Sequence, residues 1–267
     1  MTQAGTKSGT GAASPVLLGL IGLVGFAALF EVLPRIGVLP GDYFPTTSAI
    51  AAHGLTLVRE STFWVSFGQT VGTWALGLAI SVVGGVVLGV IIGAVPLLRA
   101  ATSSTIEFLR PIPSVALIPL VIVLLGTKMS STLVLVVYAS FWPVLVQVLY
   151  GVADVDPIAR ETALSFRLGP LHRVRYLIWP TTLPYAVTGI RLAASVALIL
   201  TITGELVIGS PGLGHDIQTA YSSNAVPLMY ALVVVTGLIG VAANLVTRMT
   251  ERRILRWHPS VRGEVPV

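Results

Sequence analysis

From Phe63 to Val95 the chain runs 33 residues without one charged side chain. A helix needs about 20 mostly apolar residues to cross the hydrocarbon of a bilayer. This stretch meets that length with enough left over to tilt or protrude. Five more runs reach it: Pro15–Leu33, Ala101–Leu125, Ser131–Tyr150, Leu183–Ile208 and Val226–Val246. Charged residues make up only 10% of the chain, against about 25% in a soluble domain. That is too little charge to cover a water-facing surface, so lipid is the solvent for most of the protein. The expected fold is an all-α polytopic membrane protein with six transmembrane helices.

Orientation follows from the basic residues between spans. With the N-terminus inside, the cytoplasm receives Lys7, Arg99, Arg160, Arg167, Arg173, Arg175, Arg248, Arg252, Arg253, Arg256 and Arg262. Only Arg35, Arg59 and Lys128 fall outside. Both termini are therefore expected to be cytoplasmic. The net charge of +5 is accounted for by topology rather than by nucleic acid. Residues 1–14 are Gly/Ser/Thr-rich and read as a disordered tail. A transmembrane domain follows over 15–250, with a cytoplasmic loop over 151–182, and then a tail over 251–267. No small-residue cleavage site follows the first apolar run, which reads as a retained helix.

Several segments depart from plain apolar helix. Ile50, Ala51, Gly54, Leu57 and Val58 have helical spacing and predict a short amphipathic helix on the outer surface. Gly85, Gly89 and Gly93 lie four apart and predict a face that another helix approaches closely. The third span carries Arg110-Pro111-Ile112-Pro113-Ser114, and proline removes a backbone donor. A broken helix in lipid sits inside a bundle or lines a cavity. Glu107 and Arg110 are three apart, close enough to pair. Beyond the fifth span, Thr201 and Glu205 precede Gly209-Ser210-Pro211-Gly212-Leu213-Gly214. This segment reads either as a turn at the outer interface or as a loop lining the solute path.

Catalytic signatures are missing. With no cysteine, the chain has no disulfide and no thiol nucleophile. There is no phosphate-binding Gly-x-x-x-x-Gly-Lys-Ser/Thr, no His-Glu-x-x-His and no Gly-x-Ser-x-Gly. His53, His172, His215 and His258 lie in separate segments, as surface histidines do. No metal and no cofactor is expected on this chain. If it moves a solute uphill, the energy comes from a partner or from coupled ions.

One polar stretch interrupts the apolar pattern: Glu161-Thr162-Ala163, then Arg167, Gly169-Pro170, His172-Arg173, Arg175, and Leu177-Ile178-Trp179-Pro180. It resembles the EAA motif of permease subunits of bacterial ABC importers. That motif reads Glu-Ala-Ala, three residues, Gly, nine residues, Ile, one residue, Leu-Pro. Glu161, Ala163 and Pro180 match without gaps. Thr162, Leu177 and Trp179 are replacements, and Arg167 stands where the motif has glycine. Gly169, two residues on, is the nearest residue to supply the turn. Leu39-Pro40 to Pro45, Arg110-Pro111-Ile112-Pro113, Gly189-Ile190-Arg191, Glu205 and Gly212-Leu213-Gly214 look like the nitrate/sulfonate/taurine branch.

The resemblance implies a permease of the bacterial inner membrane with no catalytic residues of its own. Its expected partners are a second permease copy, two ATP-binding cassette subunits that hold ATP and Mg, and an extracytoplasmic solute-binding protein. Glu161, Ala163, Arg167, Gly169, Pro170, Arg173 and Pro180 are the candidate ATPase-coupling residues. Glu161 is expected to start a helix at the positive dipole end, Ala163 to permit close docking, and Pro170 and Pro180 to bound a second helical piece. Arg110, Pro111, Pro113, Ser114, Thr201, Glu205, Gly212 and Gly214 are candidates for the path or its gate. The implied solute is a small anion such as sulfonate, taurine or nitrate; relatives of this kind also carry pyrimidine precursors and aromatic acids. The rival class is an ion-coupled secondary transporter, which would place titratable residues at midplane and show an internal repeat.

Overall fold

The computed structural model describes residues 15–256. The expected tail 1–14 lies outside them, as do residues 257–267. Regular structure among the described residues is all helical. Five helices are long and apolar enough to cross a bilayer: 17–35, 61–94, 129–153, 170–208 and 226–254. A sixth span exists only if one bent pair of helices is counted as a single crossing.

That pair is the expected third span. Helix α4 (Pro96–Leu109) ends at Arg110, and a short 3-10 turn at Ser114–Leu117 leads into α5 (Ile118–Leu125). The two halves meet at 80°. Pro111 and Pro113 lack the N–H groups that would carry the helix on, and each biases the residue before it away from the helical conformation. The sequence expects one run from Ala101; the structure starts the helix five residues earlier and breaks it at the prolines. Glu107 and Arg110 form no ion pair, contrary to their spacing; ion pairs among the described residues include Glu31–Arg35 and Arg191–Glu251.

Three helices make the centre: α3 (Ser61–Ala94), α6 (Met129–Ala153) and α9 (Trp179–Ile208). The glycine stripe of α3 lies against valines of α6. A Cβ added at Gly85, Gly89 or Gly93 would come within 2.8, 2.6 or 2.8 Å of Val144, Val148 or Val152. The same register continues upward, where Gly77 faces Val136 and the hydroxyls of Ser81 and Ser140 share a 2.7 Å hydrogen bond. Two helices thus meet at every fourth residue, small against β-branched, which is how backbones approach when lipid offers no hydrophobic drive. Gly189 does the same for α9: a Cβ there would sit 3.1 Å from the Pro143 carbonyl oxygen. Gly89→Val is expected to cost about 1–3 kcal/mol by overpacking. Gly72→Val, on the same helix with open space around it, serves as the control. Thermal unfolding in detergent distinguishes the two; equal midpoints would refute this packing.

The outer elements are attached at fewer points. α1 (Pro15–Arg35) is held near its end by α2 (Thr47–Leu57): Ser48 donates its N–H and its hydroxyl to Glu31 at 2.8 and 2.9 Å. The rest of α1 exposes leucine, valine and phenylalanine, as a lipid-facing helix does. α2 is a short helix where the sequence places one, but of the expected face Ile50 and Leu57 turn to a cluster formed with Phe63, Leu213, Ile217 and Leu232, while Ala51 and Val58 are exposed. α11 (Val226–Ile254) supplies Leu232 and runs four residues into the segment expected to be tail.

Candidate functional site

The polar loop is two helical pieces and one strained turn. α7 (Pro157–Ser165) begins with Asp156, whose carboxylate accepts from the Ile158 N–H at 2.8 Å. Asp156, not Glu161, therefore occupies the capping position. Glu161 lies further along α7 and is exposed, which corrects its expected place at the helix start. Ala163 is buried in its own chain. Its carbonyl accepts from the Leu168 N–H at 3.0 Å, closing the helix end.

Between them Arg167 takes φ 57°, a left-handed conformation. This is the backbone that glycine adopts freely and other residues adopt at a cost of about 1–2 kcal/mol. Arginine itself makes the turn here. Gly169 has φ −61° and caps the next helix instead, so the expectation that it supplies the turn is wrong. Arg167→Gly is expected to relax the turn by about 1 kcal/mol and slow exchange of the Leu168 amide about fivefold. Unchanged or faster exchange would show that the turn holds no strain.

After Gly169 the chain enters α8 (Pro170–Arg173), a π-helical stretch over Val174–Ile178, and then α9 without a break. The result is one helix of 39 residues, Pro170–Ile208. Pro170 starts it as expected. Pro180 does not close it, because it sits at the second position of α9, directly after the wide π turn in which the Trp179 N–H reaches back to the Val174 carbonyl. π turns near proline are a recognised way for a helix to continue past a lost donor. Around this foot Arg175 lies 5.6 Å over the Tyr176 ring, which also stacks on His172. Arg173 is partly buried and its Nε finds no acceptor.

A second feature is a groove of about 490 Å³ where the α4–α5 break meets α6 and α9. Arg110, Pro113 and Ser114 line it from the break, Tyr138, Trp142, Gln147 and Tyr150 from α6, and Leu192 and Val196 from α9. Tyr138 donates to the Leu109 carbonyl at 2.8 Å and fastens the break to α6. Of the residues expected on the path, Arg110, Pro113 and Ser114 are on this wall. Pro111 is exposed beside it.

Thr201, Glu205, Gly212 and Gly214 form a third feature, apart from the groove. Thr201 is buried and donates to the Ala197 carbonyl of its own helix. Glu205 is only 1% exposed. One carboxylate oxygen accepts from Thr70 at 2.8 Å and from the Gly214 N–H at 3.0 Å. Thr70 in turn accepts from the Leu213 N–H at 2.9 Å. Gly209 ends α9 in the left-handed region at φ 80°. The chain then folds back through Ser210, which bonds Thr132 at 2.6 Å, into α10 (Leu213–Ser222). The acid thus pins the start of α10 to α3 and α9.

Comparison with known proteins identifies this architecture. Residues 85–256 match the model of the family described as binding-protein-dependent transport system inner membrane component. The chain belongs to that family. It is 28% identical over 202 residues to the taurine transport system permease protein TauC of Escherichia coli, covering 76% of this chain and 74% of that one. It is 26% identical over 238 residues, 84% of each chain, to the bicarbonate transport system permease protein CmpB of a Synechocystis species. Among solved structures, a chain of a bacterial ABC transporter involved in the import of the acidic polysaccharide alginate superposes with a TM-score of 0.65. That match covers 90% of this chain and 96% of that one at 14% identity, which speaks to fold alone. The chain is thus a multi-pass transport component of the ABC permease kind rather than an enzyme.

Sequence reasoning missed three parts of this inner membrane component. Asp156 was legible as an acid before proline, the pattern of a cap. Thr70 gives no local signal, since its partner is 135 residues away. The tie from the Tyr185 hydroxyl to Asp154 at 2.9 Å, which joins the end of α6 to α9, is equally invisible to spacing.

Proposed function

We propose that the chain is the permease subunit of an ATP-driven importer for a small anion, working as a homodimer. Two ATP-binding subunits dock on its cytoplasmic loop, and an extracytoplasmic binding protein delivers solute from the other side. One observation carries this reading. On the loop, Ile158, Phe166 and Leu171 are 74%, 79% and 76% exposed beside the charged Glu161 and Arg167. Apolar side chains grouped among charges on a polar loop fit a protein partner. The chain has no nucleotide-binding motif, so a partner that supplies energy is the natural occupant.

The mechanism follows from the placement of the loop. Closure of the ATP-binding pair displaces α7 and α8 together. Because α8 is continuous with α9, the displacement enters the membrane directly and swings the permease between inward- and outward-open states. ATP and Mg act on the partner. This chain's residues contribute the docking face, the rigid helix and the lining of the path. Taurine and bicarbonate, named for the two relatives, both carry a compact oxyanion, which supports the solute class.

The test is purification from the native membrane. Co-elution of an ATP-binding subunit and hydrolysis stimulated by a solute-loaded binding protein are expected. A lone chain that moves solute down an ion gradient would overturn the proposal.

A further inference from the structure

The groove at the α4–α5 break has a chemistry that its role as a wall does not require. Arg110 brings its only formal charge, and no aspartate or glutamate lines it. Glu107, one turn back on α4, makes no ion pair with Arg110. The remaining polar groups are Ser114, Tyr138, Trp142, Gln147 and Tyr150. The Tyr138 proton is already given to the Leu109 carbonyl and the Trp142 N–H is buried, which leaves the hydroxyls of Ser114 and Tyr150 and the amide of Gln147 able to donate to an oxyanion. Along α6 the lining from Tyr138 to Tyr150 extends about 18 Å at 1.5 Å per residue.

A guanidinium without a counter-ion is costly at membrane depth unless it faces a wet cavity. Here it faces one. The uncompensated cation raises the local concentration of anions and lowers that of cations, and its planar fork matches sulfonate and carboxylate oxygens. The groove's volume lies within the range that holds a small solute. We propose that Arg110 makes this groove an anion-selecting stretch of the solute path, where compact oxyanions pause on the guanidinium. The proposal rests on the reading of the chain as a permease and adds the residue that selects for charge.

The absence of cysteine allows a direct test that needs neither solute identity nor ATP hydrolysis. In the complex as purified, Ser114→Cys places one thiol on the groove wall. Its labelling rate is measured with an anionic reagent, sulfonatoethyl methanethiosulfonate, and a cationic one, trimethylammonium-ethyl methanethiosulfonate. Each rate is divided by that of a free thiol. The ratio of anionic to cationic rates cancels any effect of Arg110 on the thiol itself. It is expected to exceed one, to fall about tenfold with Arg110→Gln, and to stay within about threefold with Arg110→Lys. A ratio below one, a ratio unmoved by Arg110→Gln, or no labelling by either reagent overturns the proposal. Arg110→Lys guards against a folding effect, since a merely structural arginine would not be rescued by another cation. Failure to recover an ATP-binding partner would refute the permease reading but leave this ratio intact, so the two outcomes are separable.

Discussion

Glu161→Lys is expected to cut solute uptake about a hundredfold while the chain still inserts and folds. The expectation follows from where the residue stands. Glu161 is exposed on α7, between the exposed Ile158 and Leu164, and is neither the cap of its helix nor part of an ion pair among the described residues. Reversing it costs the isolated chain little, because surface substitutions away from such features change stability by about 0.5 kcal/mol or less. At a docked interface the same change sets a cation against a site built for an anion. Losses there run to about 2–5 kcal/mol, and 2.7 kcal/mol is already a hundredfold. Two measurements check it: uptake into vesicles, and ATP hydrolysis by the assembled complex in the presence of loaded binding protein. Uptake should collapse and hydrolysis should lose its stimulation, with the detergent melting midpoint unchanged. Full uptake would remove α7 from the coupling surface. A large drop in melting midpoint would make Glu161 a structural residue instead.

Gly212→Ala is expected to be the most damaging single methyl group in the protein. At φ 151° the backbone is one that side chains rarely adopt, a strain of about 1–3 kcal/mol. A Cβ built there would also overlap the Glu205 carboxylate. That carboxyl group cannot retreat without releasing Thr70 and the Gly214 N–H, and each such hydrogen bond contributes about 0.5–1.5 kcal/mol. The total is about 2–6 kcal/mol, a large part of the stability of an ordinary fold. Gly37→Ala is the matched control, because Gly37 also has positive φ, at 76°, but nothing lies near it. Gly212→Ala should lower the yield of monodisperse protein sharply and Gly37→Ala only slightly. Equal behaviour would mean that φ alone matters and that the closed corner around Glu205 gives way easily.

These two positions also mark what the sequence could and could not reveal. Apolar length predicts α1, α3, α6, α9 and α11 because a bilayer imposes one thickness on every span. Ile50, Ala51, Gly54, Leu57 and Val58 predict α2 by their spacing, though Ala51 and Val58 face outward, and Pro111 and Pro113 predict a break. Gly85, Gly89 and Gly93 predict a close contact but not its partner, since a small residue marks a face and says nothing of the valines opposite. Glu205 was visible as an isolated acid; its closure onto Thr70 was not, because that partner lies 135 residues away. Pro180 misleads for a local reason. Proline usually bounds a helix, and here a π turn carries the helix through it. Arg167 is the converse case, where a residue that disfavours the left-handed region still adopts it.

If the loop docks a partner as proposed, the continuous helix from Pro170 to Ile208 would work as a lever. At 1.5 Å per residue its 39 residues span about 58 Å, so a tilt of about 10° at the foot carries the far end about 10 Å. The foot is the candidate docking surface, and the far end holds Glu205 and the corner where α10 begins. Between them lie only the π stretch and Pro184, the two places where such a helix bends. The π stretch at Val174–Ile178 then acts as the lever's compliance. If it flexes, force from below is absorbed before it reaches the membrane; if it stays stiff, every displacement is passed on. The helical hydrogen bonding of those five residues thus sets how much of a push becomes motion.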